Sequence, residues 1–177
     1  QQYQTDPAQA LPLPLEGFTQ INQHLCRAHG LRGADYAFNT ACTATSNAML
    51  AAMTALNAKQ CDYALVIGLE AYNATTLGGF HSMQLVAEHG MRPFDKQRNG
   101  LVLGEGCGML LLARAADHPS ALQLCGGASQ CDTYSISSCN PDGSSVACTM
   151  QAALDAAGIS VNEVQAIKAH GTATPLN

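Results

Sequence analysis

The groups in this 177-residue chain best suited to chemistry are a cysteine at a predicted strand-to-helix junction and a histidine just ahead of two threonines. In "YAFNTACTATSNAML", Cys42 follows an apolar extended run and precedes a helix-forming one. Thiols attack carbonyl carbon as thiolates, and a helix N-terminus stabilises negative charge through its unpaired amides and dipole. The same sharp turn can present the Cys42 backbone amide to a developing oxyanion. Free cysteine is also a common small core residue, so position alone leaves Cys42 as either nucleophile or packing. In "AHGTATPLN", His170 ends another apolar run. An imidazole there can hydrogen-bond a carbonyl oxygen or move protons, while the hydroxyls of Thr172 and Thr174 could hold an amide-rich arm. Taken alone, His170 reads equally well as a structural histidine.

The elements that must position these groups alternate along the chain. Apolar periodicity predicts a short amphipathic helix over 18–29, ended by Gly30 and Gly33. "ADYAFNTA" reads as a strand, and "TSNAMLAAMTALNAKQ" as a helix whose alanines allow close packing; Met49 and Met53 belong to its core face. "DYALVIGLEA" reads as a strand buried on both faces, which completes the pattern of a parallel crossover unit. Residues 75–100 read as a long loop containing Gly78, Gly79 and "RPFDKQRNG". Beyond it, "LVLGEGCGMLLLA", "ALQLCGGASQCD" and "VQAIKAHG" read as strands, and "SSVACTMQAALDAAG" as a helix stopped by Gly158. Parallel sheets gather sites at strand C-termini, so Cys42 and His170 would meet there. An α/β layer structure is the expected class.

Composition narrows the partners. Only 12% of the residues are charged and 47% are hydrophobic, so part of the surface is expected to be covered by another chain. A net charge of -5 without a basic block argues against nucleic acid and anionic membrane surfaces. "ALVIGL" and "GMLLLA" fall far short of the ~20 residues that cross a bilayer. The start, "QQYQTDPAQALPLPLEG", has no signal-peptide pattern, and a cytoplasmic protein is expected; its lack of an initial methionine points to an earlier segment. The eight cysteines show no CxxC pair and no metal-ligand spacing, so reduced thiols and no metal are expected. His81 and His89 read as solvated loop residues, and Lys168 as a strand-edge residue.

"NTACTATSNAM", "GGF", "RPFDKQRNGLVLGEGCGMLLL", "GGASQCDTYSIS", "NPDG" and "AHGTATPLN" occur in an order that resembles the β-ketoacyl-acyl-carrier-protein synthases. The likeness runs from about Tyr36 to the end, and is greatest to type II elongating synthases and type II polyketide ketosynthases. It implies a thiolase-like αβαβα condensing-enzyme fold, present here as an incomplete, mainly first-half version. Residues 1–150 would be mostly its N-terminal half and 151–177 the start of its C-terminal half. The resemblance makes Cys42 the acyl-accepting cysteine and His170 the first of two active-site histidines. Thr172 and Thr174 match threonines lining a phosphopantetheine tunnel, and Phe80 matches a segment lining the acyl pocket. Asp95, Arg98 and Glu105 match a charged turn of structural role. No cofactor is implied beyond the phosphopantetheine arm of acyl carrier protein, which carries the substrates.

The family pattern continues with a catalytic lysine and a second histidine motif, neither of which occurs in these residues. Three readings follow. The chain is a short partner, like a chain length factor, that pairs with a complete ketosynthase; or it is part of a self-sufficient synthase, paired with itself; or it uses Cys42 for hydrolysis or acyl parking. The first is the reading the sequence favours, although chain length factors usually replace the cysteine that this chain retains. Catalysis by the chain alone is left open.

Overall fold

The computed structural model describes residues 19–119, 122–135 and 138–175. The chain divides into two units, Gln1–Ala44 and Thr45–Asn177.

The first unit is built on helix α1, Thr19–His29, with Arg27 in its last turn, where a cation complements the dipole. Gly30 takes φ +62°, and the Leu31 amide reaches back to the Cys26 carbonyl at 2.9 Å, closing the helix with a Schellman motif. Asn22 Nδ2 then donates to the Tyr36 carbonyl at 2.8 Å, fastening the following segment to the helix. That segment, 34–40, was expected as a strand and forms no ladder among the described residues. A 3₁₀ turn, Ala41–Thr43, follows it.

Helix α2, Ala44–Asn57, belongs to the second unit from Thr45 onward and lies there on strand β1, Tyr63–Glu70. The approach is close enough that a Cβ on Gly68 would stand 2.6 Å from Thr45 Oγ1, so glycine is required there. Leu56 of the helix and Val66 of the strand are buried at 4% and 5% exposure. Strand β2, Gly106–Ala113, pairs antiparallel with β1, from Tyr63 opposite Ala113 to Glu70 opposite Gly106. The parallel crossover is therefore replaced, among the described residues, by an antiparallel pair, with one parallel bridge joining Val86 and Leu101. Arg114 closes the end of the pair by donating to the Cys61 carbonyl at 3.1 Å and to Asp62 Oδ1 at 3.0 Å.

Only one face of β1 is buried. Side chains alternate across a strand, so Leu65, Leu69, Met109 and Leu111 share the face opposite Val66. They are exposed by 44%, 51%, 65% and 67%.

Residues 74–82, read as loop, form helix α3, Ala74–Ser82. Asn73 caps it, its Oδ1 accepting from the amides of Thr75 at 2.9 Å and Thr76 at 3.1 Å. Helix α4, Ser144–Ala157, ends as expected at Gly158, which takes φ +67°. A Cβ on Gly126 would meet the Ala157 amide at 2.6 Å, so the 122–132 segment runs against this helix without a ladder of its own. No strand forms over 164–171 either. Neither of these two segments takes part in a ladder among the described residues.

Candidate active site

Cys42 sits at the centre of the 3₁₀ turn that leads into α2. Ala41, immediately before it, holds φ +51°, a left-handed conformation that costs an L-residue about 1–2 kcal/mol. Local bonds hold this strained turn: Thr43 Oγ1 donates to the Thr40 carbonyl at 2.8 Å and lies 3.0 Å from Thr40 Oγ1. The Ala44 amide reaches the Ala41 carbonyl. The strained residue thus stands directly beside a solvent-exposed thiol.

His170, in the second unit, is exposed and precedes a loop with an unusual backbone. Gly171 and Ala173 take φ +60° and +59°, with one residue between them. Ala173 is fully buried at 0% exposure and its carbonyl accepts from the Gly100 amide at 2.9 Å. Between and after these residues, the hydroxyls of Thr172 and Thr174 stand 2.9 Å apart. The structure thus joins the two expected threonines into one hydrogen-bonded pair.

The support for that loop comes from "RPFDKQRNG", 76 residues earlier. Arg98 Nε donates to the Thr174 carbonyl at 2.9 Å and Nη2 to the Pro175 carbonyl at 2.5 Å, while Nη1 holds the Asp95 carbonyl of its own turn at 3.1 Å. The turn is fixed in its own right by Asp95 Oδ1 accepting from the Gln97 amide at 2.6 Å and by Arg92 donating to the Gln97 carbonyl at 2.9 Å. A Cβ on Gly171 would touch Phe94 at 3.4 Å, so the aromatic ring lies against the loop backbone. Glu105 belongs to a different contact, accepting from the Tyr72 amide at 2.6 Å.

Phe80, expected in a loop, is half-buried on α3. Beside it an open groove of about 740 Å³ is lined by His81, Ser82, Gln84, Val86, Ala87, Glu88 and Asn99; it includes neither Cys42 nor His170. His81 and His89 are exposed, as expected of solvated residues. Ala173, Gly100 and Phe94 escaped sequence reasoning. Residue type gives no sign that an alanine is left-handed, and no periodicity links positions so far apart. Asn73 escaped sequence reasoning too, although an asparagine ahead of the i, i+3 pair Leu77 and Phe80 is a helix-start signal.

Among the described residues no group of three or more His, Cys, Asp or Glu side chains is placed to hold a metal ion, and no helix is long and apolar enough to cross a membrane. Three carboxylates are held below their usual range by local donors. For Asp132 the Asn140 amide is the main cause, followed by the Tyr134 amide. For Asp142 the cause is the hydroxyl and amide of Ser144, and for Glu163 the amide and hydroxyl of Ser160.

Residues 20–118 match the model of the β-ketoacyl synthase N-terminal domain, and residues 123–177 that of the β-ketoacyl synthase C-terminal domain. The chain is 32% identical over 157 residues to the chloroplastic 3-oxoacyl-[acyl-carrier-protein] synthase I of Hordeum vulgare, covering 82% of this chain and 34% of that protein. It is also 32% identical over 158 residues to 3-oxoacyl-[acyl-carrier-protein] synthase 2 of Staphylococcus aureus, covering 83% and 39%. The chain therefore spans between a third and two-fifths of the length of these relatives. Among solved structures, a ketosynthase in complex with its chain length factor from Xenorhabdus doucetiae matches with TM-score 0.78 and 29% identity, over 88% of this chain and 38% of that one. A type II polyketide ketosynthase in complex with its acyl-carrier protein matches with TM-score 0.82 and 26% identity, over 90% and 42%. The fold is thus the thiolase-like ketosynthase fold in an incomplete version, and the chain belongs to the β-ketoacyl synthase family.

Proposed function

We propose that this chain supplies the acyl-accepting part of a β-ketoacyl synthase site, with Cys42 as nucleophile. The observation that carries the reading is the strained turn at Ala41, which places an exposed thiol at the start of α2 within the N-terminal family domain. The Cys42 thiolate attacks the thioester carbonyl of an acyl group borne on the phosphopantetheine arm of acyl carrier protein. A carbon–sulfur bond forms to Cys42, the old one breaks, and the pantetheine thiol departs with a proton. Thr172 and Thr174 bind the amides of that arm, and Phe80 lines the acyl pocket. In the condensation step, a malonyl thioester loses carbon dioxide and its enolate carbon attacks the acyl carbon, releasing the Cys42 thiol. His170 donates a hydrogen bond to the enolate oxygen, a contact worth on the order of 3 kcal/mol where water is excluded.

A second reading makes the chain a subunit, like a chain length factor, that pairs with a homologous ketosynthase. The match to the Xenorhabdus doucetiae complex supports it, as does the exposed apolar face of β1 and β2. Retention of Cys42 favours the first reading. The two are tested together by mixing the protein with octanoyl-acyl carrier protein and recording intact masses. One octanoyl group on the chain, with free carrier protein released, supports acyl acceptance; transfer only to a co-purifying homologue supports the partner role.

A further inference from the structure

The geometry points to Arg98 as the positioning residue of the threonine loop. Its guanidinium fixes the Thr172–Thr174 hydroxyl pair in register for the amides of the pantetheine arm, an inference that rests on the acyl-accepting reading above. The half-buried side chain spends its three donor nitrogens on three carbonyls, those of Thr174, Pro175 and Asp95. Two of these belong to the loop that carries the hydroxyls, and the third belongs to the turn that holds Arg98 itself. A planar fork of fixed geometry converts the rigidity of one loop into the position of the other, which a single ammonium on a flexible stem does not do.

The loop needs such a partner. Residues 171–175 make no helix or strand, and their backbone reverses sign of φ at Gly171 and again at Ala173. Conformations of this kind persist when their surroundings over-determine them. Here the surroundings are the Gly100 amide on the Ala173 carbonyl, the Phe94 ring on Gly171, and the Arg98 fork. Gly100 is itself anchored, since the neighbouring Leu101 amide donates to the Leu85 carbonyl at 2.8 Å and the Ala87 amide donates in return to the Leu101 carbonyl at 2.9 Å. Of the three supports, the fork acts directly on the carbonyl of a residue whose hydroxyl forms the pair. Arg98 touches no substrate; it acts through Thr174.

The test compares Arg98→Met and Arg98→Lys with the parent, in the protein together with any chain that co-purifies. Acylation of Cys42 is measured with octanoyl pantetheine and with S-phenyl octanoyl thioester, which has no amide. Arg98→Met is expected to raise KM for the pantetheine donor at least about tenfold while changing kcat less, and to leave the phenyl donor within about twofold. Arg98→Lys is expected to recover part of the loss, because one ammonium reaches one of the two loop carbonyls. Equal slowing of both donors, or of neither, overturns the positioning role. Hydrogen exchange gives an independent readout: amides within 171–175 should exchange faster in Arg98→Met, with α2 unchanged, and unchanged exchange in the loop also overturns it. A parent protein that accepts neither donor would sink the acyl-accepting reading, and the exchange result would still decide the role of Arg98.

Discussion

Arg98 Nε donates to the Thr174 carbonyl at 2.9 Å, joining two loops separated by 76 residues of chain. That bond connects the charged turn "RPFDKQRNG" to the histidine–threonine loop, two segments that the sequence presents as unrelated. It also changes the meaning of the turn, whose charges serve mostly to bind backbone carbonyls and amides.

The threonine pair should behave as one unit. Their hydroxyls bond each other at 2.9 Å, so Thr172→Val and Thr174→Val should each raise KM for a pantetheine donor, and the double variant should lose less than the sum. A double-mutant cycle should return a coupling of about 0.5–1.5 kcal/mol. Strict additivity would show that the pair does not act together.

Gly100 should tolerate no side chain. It holds φ +144°, and an added Cβ would stand 2.7 Å from the Ala87 amide and the Leu85 carbonyl, both backbone atoms. Gly100→Ala is expected to destabilise the protein by about 2–4 kcal/mol through strain and overpacking, read from the denaturation midpoint. A Cβ added at Gly78, inside α3, would meet nothing within 4 Å, so Gly78→Ala should stabilise that helix by up to about 1 kcal/mol. A shift of the same sign in both variants would contradict this account.

The helix that carries Phe80 should depend on its cap. Asn73→Ala removes the acceptor for the Thr75 and Thr76 amides and should cost about 1 kcal/mol, while Asn73→Asp, which keeps an acceptor, should cost little. Amide exchange across 74–82 would report it. Equal exchange in the two variants would assign α3 to some other support.

The acid limb of stability should carry the mark of Asp132 and Asp142. Both are held below the ordinary value of 3.8, so the folded state binds their protons less readily than the unfolded chain. Their contribution is complete above that value and is lost as pH falls through the lower folded value. The stability gap between the parent and Asp132→Asn should therefore be widest at neutral pH and narrow in acid. Parallel curves would argue that the Asn140 and Tyr134 amides do not hold the charge.

Helices α1, α2 and α4 were legible because their causes are local, whereas α3 was read as loop. Small residues and apolar spacing mark α2, and Gly158 marks the end of α4 in the left-handed conformation that glycine supplies. Tyr63–Glu70 was legible as a strand from its apolar run, though not as one buried on a single face. Burial depends on what lies opposite, and Leu65 and Leu69 have no cover among the described residues. The segments around Phe38, Leu124 and Ile167 have strand-like composition and form no ladder, since a strand exists only when a neighbour supplies its hydrogen bonds. The helix start beside Cys42 was legible because it is built from adjacent residues. The support of the threonine loop was not, because Arg98 and Thr174 meet through tertiary structure alone.

The central claim is that Cys42 accepts the acyl group, and peptide mapping after incubation with octanoyl-acyl carrier protein tests it most directly. The account predicts one octanoyl group, labile to hydroxylamine, on the peptide containing Cys42, and none when Cys42→Ala replaces it. An octanoyl group on another of the eight cysteines, or undiminished acylation of Cys42→Ala, would contradict it.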